Sequence, residues 1–442
     1  MDPHLLPYAR QNAPRYTSYP SAPHFSTDIS AAAYQAWLSE LPSETALSLY
    51  LHVPYCRQIC WYCGCNTYAA RRDETVSDFV DVVRREIDLV AQATPARTVR
   101  DIHWGGGTPN ILSPEQFTRI WRHLSFWFDL DAMTAHAVEI DPRVLTPEHT
   151  AAYARANVTR ASLGVQDLNA HVQANIGREQ TVELVQQSVA WLRGAGVNQI
   201  SMDLMYGLAG QSQDDLIASL RTAAAMAPQR IALFGYAHVP WFKRRQRLID
   251  EKLLPSPEAR FDAAEAARQE LISLGYLPIG LDHFCLPDDE LARAARRHEL
   301  HRNFQGYVAH QSDTILGFGP SAISTLPKGY VQNHHQPGVW ARSIQDDKLP
   351  IARGHRFSAD DKRRRAIIEQ LMCDFAVDLS IAGGAEAYAR ELDALAPLAA
   401  DGLVAIDGDL VTIPPHARPW CRLAAQAFDA YARAPTRHSG AI

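Results

Sequence analysis

Apolar and polar residues alternate with two different periodicities between about residue 47 and about residue 285. Short apolar runs predict strands, and the stretches between them, with apolar residues three or four positions apart, predict amphipathic helices. The predicted strands are Leu47–Val53, Asp101–Trp104, Ala135–Asp141, Ala161–Gln166, Gln199–Met205, Arg230–Tyr236 and Tyr276–His283. The predicted helices are Ser77–Ala91, Pro114–Phe128, Pro147–Arg155, Thr181–Arg193, Asp214–Met226 and Pro257–Leu274. This strict alternation favours an α/β fold with parallel strands joined by right-handed crossovers.

Several predicted strands are apolar on one face and polar on the other. Glu139 and Asp141 share a face opposite Val138 and Ile140, and Tyr50 shares a face with His52. A doubly wound open sheet is covered by helices on both sides and is expected to be apolar on both faces. We therefore favour a barrel, or part of one, that encloses a large polar cavity.

The pattern changes towards both ends of the chain. Residues 1–35 contain prolines but no periodicity, and we interpret them as an N-terminal arm. Residues 36–345 form the predicted catalytic barrel and its extension, and residues 346–442 form a smaller, mostly helical C-terminal domain. That domain contains predicted helices at Asp360–Phe375 and Gly384–Ala394, and a hairpin at Leu403–Ile413 around Asp407-Gly408-Asp409.

Composition narrows the class of protein. Hydrophobic residues make up 47% of the 442 residues and charged residues 21%, which is ordinary for a soluble enzyme. The net charge of -6 and the lack of a basic stripe argue against a nucleic-acid partner. No apolar run approaches the roughly 20 residues of a membrane span, and no secretory signal is visible, so we expect a cytoplasmic protein.

The cysteines are crowded into one short segment. Four of the seven, Cys56, Cys60, Cys63 and Cys65, lie within ten residues, which favours metal binding over a disulfide framework. Cys56-x3-Cys60-x2-Cys63 follows a predicted strand directly, and three thiolates on one loop can hold three corners of an iron–sulfur cubane. The open fourth iron can chelate S-adenosylmethionine, whose carbon–sulfur bond an electron from the cluster then breaks.

Two alternatives concern this motif. A structural zinc site normally uses four ligands in two spaced pairs, which the spacing here does not supply. Cys65 could fill the fourth corner, but only Gly64 separates it from Cys63, and ligation of the same cubane would be strained. We therefore favour a non-ligand role for Cys65, with its sulfur close to the cavity.

Other polar and glycine-rich motifs lie at the ends of predicted strands, where the active sites of barrels are found. The run His103–Pro109 contains three glycines that allow a close approach of backbone to ligand. The remaining candidates are Glu139, Asp141, Gln166, Arg178 and Asp203, the segments Tyr236–Pro240 and Asn303–Tyr307, and the basic residues Arg302 and Lys243, which could meet carboxylates.

Taken together, these motifs resemble the oxygen-independent coproporphyrinogen III oxidases, radical S-adenosylmethionine enzymes of haem biosynthesis. The resemblance runs from Pro14–Pro20 through Cys56–Asn66 to the C-terminal domain. The Gly64-Cys65-Asn66 sequence is similar to this family rather than to the related haem chaperones. Gly235 stands where the family pattern has asparagine. The resemblance implies an incomplete (β/α) barrel with a helical C-terminal lid.

The resemblance also implies a set of site residues. Cys56, Cys60 and Cys63 would hold a [4Fe-4S] cluster. S-adenosylmethionine would be bound by Tyr50, Gly106, Gly107, Thr108, Glu139, Gln166, Arg178 and Asp203, with Tyr62 between the two sites. A second S-adenosylmethionine would contact Ala237, Gln305 and Ile323. We expect Tyr50, Glu139, Phe304, Gln305 and Ile323 to be catalytic.

The implied reaction removes a β-hydrogen, carbon dioxide and an electron from each of two propionate side chains of coproporphyrinogen III, which gives protoporphyrinogen IX. A porphyrinogen substrate, an electron donor for the cluster and an unidentified electron acceptor are the implied partners, and we expect a monomer. The alternative is a haem chaperone on the same barrel that binds haem without turnover.

Overall fold

A sheet of twelve strands forms the centre of the computed structural model, which describes residues 3–311 and 313–432. We number these strands in chain order. They are β1 (Leu47–Val53), β2 (Val99–Gly106), β3 (Ala135–Ile140), β4 (Arg160–Gln166), β5 (Gln199–Tyr206), β6 (Arg230–Gly235), β7 (Leu277–Ile279), β8 (His283–Cys285), β9 (Ile315–Phe318), β10 (Ile323–Leu326), β11 (Gly329–Asn333) and β12 (Ile351–Arg356). Their order in space is β12-β11-β10-β9-β1-β2-β3-β4-β5-β6-β8-β7.

Seven neighbouring strands, from β9 through β1 to β6, run parallel. The strands beyond them pair antiparallel at both edges, so the parallel set stays an open, incomplete barrel. The predicted fold class is therefore confirmed. Because the carboxyl ends of parallel strands meet on one side, the polar residues that end β2 to β6 are gathered at one mouth of this barrel.

Helices cover the outside of the sheet. The α-helices are Leu6–Ala9, Ala31–Ser39, Asp73–Ala93, Pro114–Trp127, Pro147–Arg155, Ala170–Ile176, Val182–Gly194, Gln213–Ala225, Pro257–Ser273, Glu290–Arg296, Pro337–Gln345, Ala359–Cys373, Ala389–Ala400 and Cys421–Ala427. Short 3-10 helices lie at Pro3–Leu5, Ala22–His24, Pro109–Ile111, Pro142–Val144, Arg244–Leu248, Glu251–Leu253, Leu379–Ala382, Ala385–Tyr388 and Pro415–Trp420. Within the described part of the chain, no helix is both long and apolar enough to cross a membrane.

Local sequence explains where these helices begin and which face they bury. Along Asp73–Ala93, the buried residues Val76, Val80, Val83 and Ile87 recur every three or four positions and pack into the main core. The helix Pro114–Trp127 begins with a capping box between Ser113 and Gln116, in which each side chain accepts a hydrogen bond from the other's backbone N–H. These signals fix the crossovers that hold the parallel strands in order.

One predicted strand is wrong. Tyr276–His283 was expected to be a single strand of the parallel set, but the segment forms the antiparallel hairpin of β7 and β8. Pro278 lacks an N–H donor, and Gly280 between the two strands has φ of 57°. A Cβ atom on Gly280 would overlap the Tyr307 ring, so the chain reverses here against that ring. The charged segment Asp288–His301 also has a helical pattern in the sequence, but only Glu290–Arg296 is helical and His301 begins a strand.

Smaller sheets complete the structure. Tyr55–Cys56 pairs with Tyr68–Ala69, and His301–Asn303 pairs with Gly306–Val308. In the C-terminal part, Leu410–Thr412 pairs with both Ala405–Asp407 and Ala376–Asp378, which adds a third strand to the predicted hairpin. The predicted helix Gly384–Ala394 is displaced, since the α-helix there is Ala389–Ala400.

The C-terminal domain has a hydrophobic core of its own, which includes Ala13, Tyr16 and Tyr19 of the N-terminal arm. The last ten residues of its predicted range, 433–442, and residues 1 and 2 of the arm lie outside the described residues. Strand β12 lies past the predicted boundary at residue 345 and pairs with β11. We therefore propose that the barrel extension ends after Arg356.

Candidate functional site

The cysteine-rich loop lies at the mouth of the barrel, directly after β1. Tyr55–Cys56 and Tyr68–Ala69 pair at its base, and the loop between them contains the other three cysteines. Cys56 and Cys60 are buried, Cys63 is half-buried and Cys65 is exposed. All four line one cavity of about 870 Å³, which we call the cofactor cavity. The sequence motif is thus folded with its three predicted ligands facing one space.

Polar neighbours surround the thiols. Thr108 Oγ1 donates to Cys56 Sγ at 3.2 Å, and Cys60 Sγ lies 3.4 Å from Arg178 Nη1 and 3.6 Å from Arg143 Nη2. A hydrogen bond with Cys65, together with the charges of Lys243 and Arg178, lowers the pKa of Cys63 to about 6. Cations and donors around sulfur stabilise thiolates, the form that binds iron.

The donor set fits an iron–sulfur cluster. Among residues 3–311 and 313–432, no three His, Cys, Asp or Glu side chains converge closely enough to ligate one metal ion. A cluster does not need such convergence, because each thiolate binds its own iron atom. Cys56, Cys60 and Cys63 would therefore hold the cluster at the wall of the cofactor cavity.

Glu139 and Asp203 project from β3 and β5 into the same cavity. Glu139 Oε1 lies 3.0 Å from His103 Nε2, and the Gly106 N–H donates to Glu139 Oε2 at 3.2 Å. Burial alone would raise the pKa of Glu139, but His103 and Gly106 hold that pKa below its usual value. Burial and the nearby Glu139 raise the pKa of Asp203 to about 6, although Ser162 donates to Asp203 Oδ1 at 3.0 Å.

Asp141 also faces this cavity, but its carboxylate forms ion pairs with two arginines. Arg143 Nη2 lies 2.7 Å and Arg178 Nη2 3.4 Å from its carboxylate oxygens. Burial opposes ionisation of Asp141, and the two arginines nevertheless lower the pKa of this carboxyl group. Both arginines also contact Cys60, so the triad connects β3 and the loop after helix Ala170–Ile176 to the cysteine loop.

The glycines after Trp104 allow close contacts inside the protein as well as towards the cavity. Gly106 has φ of 112°, and a Cβ atom there would lie 2.7 Å from the His52 ring. A Cβ atom on Gly107 would lie 2.7 Å from the carbonyl oxygen of Tyr55, whose neighbour is Cys56. The run therefore brings β2 against the cysteine loop, and Gly106, Gly107 and Thr108 all line the cofactor cavity.

A second cavity of about 330 Å³ adjoins the first, and Cys65, Gly106 and Glu139 line both. Tyr50, Phe304, Gln305 and Ile323 line only the second one. Tyr50 Oη lies 3.0 Å from His52 Nδ1, and His52 Nε2 lies 3.1 Å from the carbonyl oxygen of Asn66. Burial lowers the pKa of His52, whose ring lies between Tyr50 and the cysteine loop.

The structure thus distributes the sequence-predicted site residues over two spaces. The cofactor cavity is lined by Cys56, Cys60, Tyr62, Cys63, Gly106, Gly107, Thr108, Glu139, Gln166, Arg178, Asp203 and Ala237. Ala237 does not line the space that contains Gln305 and Ile323, although the three were predicted to share a ligand. The two basic residues that were predicted to meet carboxylates do not share a cavity. Lys243 lines the cofactor cavity, whereas Arg302 lines a third cavity.

Sequence reasoning overlooked several polar groups at this site. Arg143 follows Pro142 in what looks like an ordinary turn, and Ser162 is a small residue within a strand. His52 and His103 were noticed only as members of strands or motifs. For His52 and Ser162 the available signal was their position on the polar faces of β1 and β4, since polar strand faces predict the lining of a cavity.

Comparison with known proteins agrees with this geometry. Residues 50–223 match the model of the radical SAM superfamily. Oxygen-independent coproporphyrinogen III oxidase of Bradyrhizobium diazoefficiens is 45% identical over 430 residues, which cover 96% of each chain. The Escherichia coli protein of that name is 35% identical over 439 residues, covering 98% of this chain and 96% of the other. The solved structure of Escherichia coli coproporphyrinogen III oxidase, a radical SAM enzyme, matches with a TM-score of 0.90 and 34% identity, covering 95% and 100% of the two chains.

The chain is a radical S-adenosylmethionine protein, a class that uses a [4Fe-4S] cluster and S-adenosylmethionine. Its incomplete barrel has three cysteines on the loop after the first strand and a polar cavity beside them, as this class requires. The sequence identity with its relatives, and the share of both chains that is aligned, assign the chain to one family within this class. It belongs to the family of oxygen-independent coproporphyrinogen III oxidases. This assignment supports the enzyme over the haem-chaperone alternative.

Proposed function

We propose that this protein catalyses the oxygen-independent oxidative decarboxylation of coproporphyrinogen III to protoporphyrinogen IX. Each of two propionate side chains loses a β-hydrogen atom, carbon dioxide and one electron, and becomes a vinyl group. The observation that carries the proposal is that the two cavities are adjacent and share a wall. The space lined by the cysteine thiols and the space lined by Tyr50, Phe304, Gln305 and Ile323 meet at Cys65, Gly106 and Glu139.

Cys56, Cys60 and Cys63 hold the cluster in this proposal, and Cys65 remains unligated beside both cavities. When bound, the cluster and S-adenosylmethionine supply the radical chemistry that removes hydrogen from the substrate. Arg178 and Arg143 place positive charge beside the Cys60 sulfur. The buried Asp141 keeps both arginines in position.

The polar groups at the strand ends bind S-adenosylmethionine. Gly106, Gly107 and Thr108 bring backbone groups close to the ligand, and Glu139 and Asp203 offer carboxylate oxygens to its hydroxyl or amino groups. Gln166 supports this role, because it ends β4 with φ of 67°, a conformation that costs energy in a residue other than glycine. Tyr62, which lines the same cavity, would lie between the cluster and this ligand.

We also propose that a second S-adenosylmethionine binds in the second cavity. Gln305 and Ile323 line the second cavity with the predicted catalytic residues Tyr50 and Phe304, and Glu139 reaches both spaces. Gln305 Nε2 is buried without a hydrogen-bond partner among the described residues, and a bound ligand would supply one. Ala237 would contact this ligand only from the cofactor cavity, where it lies.

The remaining partners follow from the proposed chemistry. An electron donor must reduce the cluster, and an acceptor must take the electron that each decarboxylation releases. A monomer in the cytoplasm remains our prediction from the sequence.

The test is an anaerobic incubation of the reconstituted enzyme with coproporphyrinogen III, S-adenosylmethionine, a reductant and a cell extract as source of the electron acceptor. We expect protoporphyrin among the oxidised products, with one carbon dioxide for each vinyl group formed. Stoichiometric haem binding without decarboxylated product would contradict the proposal.

A further inference from the structure

A third cavity, of about 510 Å³, lies on the far side of the carboxyl end of β6. Six arginines of the described residues line it, and they come from four separate parts of the chain. They are Arg15, Arg260, Arg268, Arg302, Arg418 and Arg422. We call this space the arginine cavity. Neither the predicted cluster ligands nor the predicted S-adenosylmethionine ligands line it.

Positive charge is in excess in the arginine cavity. Within residues 3–311 and 313–432, Glu265 and Asp282 are the only carboxylates that line it with the six arginines. Glu265 already pairs with Arg268 at 2.7 Å, and Asp282 lies 2.7 Å from His283 while it also faces Arg302 and Arg15. The remaining guanidinium groups repel one another, and a cavity of this kind attracts anions.

Several individual nitrogens of these guanidinium groups lack hydrogen-bond partners among the described residues. Arg302 is 9% exposed, and its Nε and Nη1 are buried without a partner among the described residues. Its Nη2 donates to the carbonyl oxygen of Arg15 at 3.3 Å, and its guanidinium lies 4.4 Å from the Tyr307 ring centre. Within the described residues, Nε of Arg260 and Nε of Arg418 are also buried without partners. Buried charged donors without acceptors cost free energy, and a bound anion reduces that cost.

Burial and repulsion between guanidinium groups lower the pKa of two of these side chains, Arg422 and Arg260. Burial, and then the charge of Arg15, lowers the pKa of Arg422 to about 10 and lowers the pKa of Arg260 as well. An anion with several separated negative charges would neutralise this set better than one monoanion. The chemistry therefore favours a polycarboxylate.

The walls of the arginine cavity are partly apolar, and it shares part of its wall with the cofactor cavity. Phe234, Phe261 and Phe284 line the arginine cavity, and Phe234, Gly235 and Arg15 line both spaces. A Cβ atom on Gly235 would lie 2.7 Å from Arg260 Nη2, so the absence of a side chain there lets Arg260 approach the junction. A ligand at this junction meets aromatic faces and several cations at once.

We propose that the arginine cavity holds the propionate carboxylates of the tetrapyrrole that are not being removed, while the reacting propionate extends past Phe234 and Gly235 into the cofactor cavity. The inference rests on the proposed function. A tetrapyrrole combines an apolar ring system with four separated carboxylates, which is the chemistry that this cavity complements. The arginines position the substrate and take no part in bond breaking.

The test compares Arg260→Gln and Arg302→Gln with the matched control Arg221→Gln, whose arginine lies 65% exposed on a helix surface. The probe is oxidised coproporphyrin III, titrated by fluorescence into the anaerobic holoenzyme, with its tetramethyl ester as the uncharged counterpart. We expect each cavity variant to weaken coproporphyrin III binding, and to raise KM for coproporphyrinogen III, by about tenfold, the effect of one lost charged hydrogen bond. Binding of the ester should not differ between the variants and wild type.

Two outcomes separate this inference from the proposed function. Unchanged Kd and KM in the folded cavity variants, in an enzyme that forms vinyl product, would overturn the arginine site and leave the reaction intact. Weakened coproporphyrin III binding in the variants of an enzyme that forms no vinyl product would support the site and contradict the reaction. If Arg302→Gln does not fold, Arg260→Gln decides, since Arg260 is only half-buried.

Discussion

The cofactor cavity and the arginine cavity share Phe234 and Gly235 as lining residues, yet they differ in how their charged side chains are paired. In the cofactor cavity each buried carboxylate has a partner from the protein: Glu139 has His103, Asp203 has Ser162, and Asp141 has two arginines. In the arginine cavity six cations face two carboxylates. A site whose charges are paired internally is preorganised and stable without ligand. A site with an excess of one charge is stabilised by a ligand that carries the other.

The largest effect that we expect tests the cysteine loop of the cofactor cavity. Cys63→Ala removes one of three thiolates, and the reconstituted protein should lose its cluster, seen as loss of bound iron and of the broad visible absorbance. Cys65→Ala is the matched control two residues away, and it should retain about four irons per chain, the content of one cubane cluster. Equal loss of iron in both variants would show that Cys65 is a ligand.

Stability should respond differently in the two cavities. Asp141→Asn leaves Arg143 and Arg178 buried without their anion, and we expect the free energy of unfolding in urea to fall by about 3 kcal/mol. Arg260→Gln removes a cation from a repulsive set, and we expect no decrease. A similar loss in both variants would contradict the contrast between paired and unpaired charge.

The pH dependence of Asp141 follows from its lowered pKa. Because the folded protein favours the ionised carboxylate, this group stabilises the fold above its unfolded pKa of 3.8, and that stabilisation is lost as the pH falls through the lower, folded pKa. Asp141→Asn should remove this part of the acid sensitivity, measured as the urea midpoint against pH.

A smaller effect is expected at Asp203. Asp203→Asn keeps the size of the side chain but removes its charge, and we expect S-adenosylmethionine to bind about tenfold more weakly. Since burial and Glu139 raise the pKa of Asp203 to about 6, wild-type affinity should decrease as the pH falls below about 6, whereas the variant should not show this step. Calorimetric titration at several pH values measures both. If the variant bound S-adenosylmethionine with the affinity and the pH dependence of wild type, Asp203 would not be a ligand of S-adenosylmethionine.

The smallest effect should come from Arg221→Gln. This arginine lies on the outer face of a helix and pairs with Glu270 at 2.7 Å. Exposed ion pairs contribute little because water and salt screen them. The urea midpoint and coproporphyrin III affinity should match wild type. A loss of affinity here would show that net charge, rather than the arginine cavity, attracts the ligand.

The sequence by itself determined the class of fold and the cysteine motif, because both depend on residues close together in the chain. Strand Leu47–Val53 and helix Pro147–Arg155 have the predicted bounds, since their periodicity and the proline at the helix start act locally. Cys56, Cys60 and Cys63 lie within eight residues. The hairpin in place of strand Tyr276–His283 was not predictable in this way, because the reversal at Gly280 depends on the distant Tyr307 ring.

Only the tertiary structure decided which charged groups meet. Arg143 and Arg178 come together at Asp141 through two different crossovers, and the separation of Ala237 from Gln305 depends on how the strands are arranged around the mouth. The arginine cavity is the extreme case, since its arginines range from residue 15 to residue 422. Only Arg302 among them is a candidate from the sequence. No local pattern predicts that the six arginines meet, because the cavity forms only where the N-terminal arm, the barrel and the C-terminal domain pack against one another.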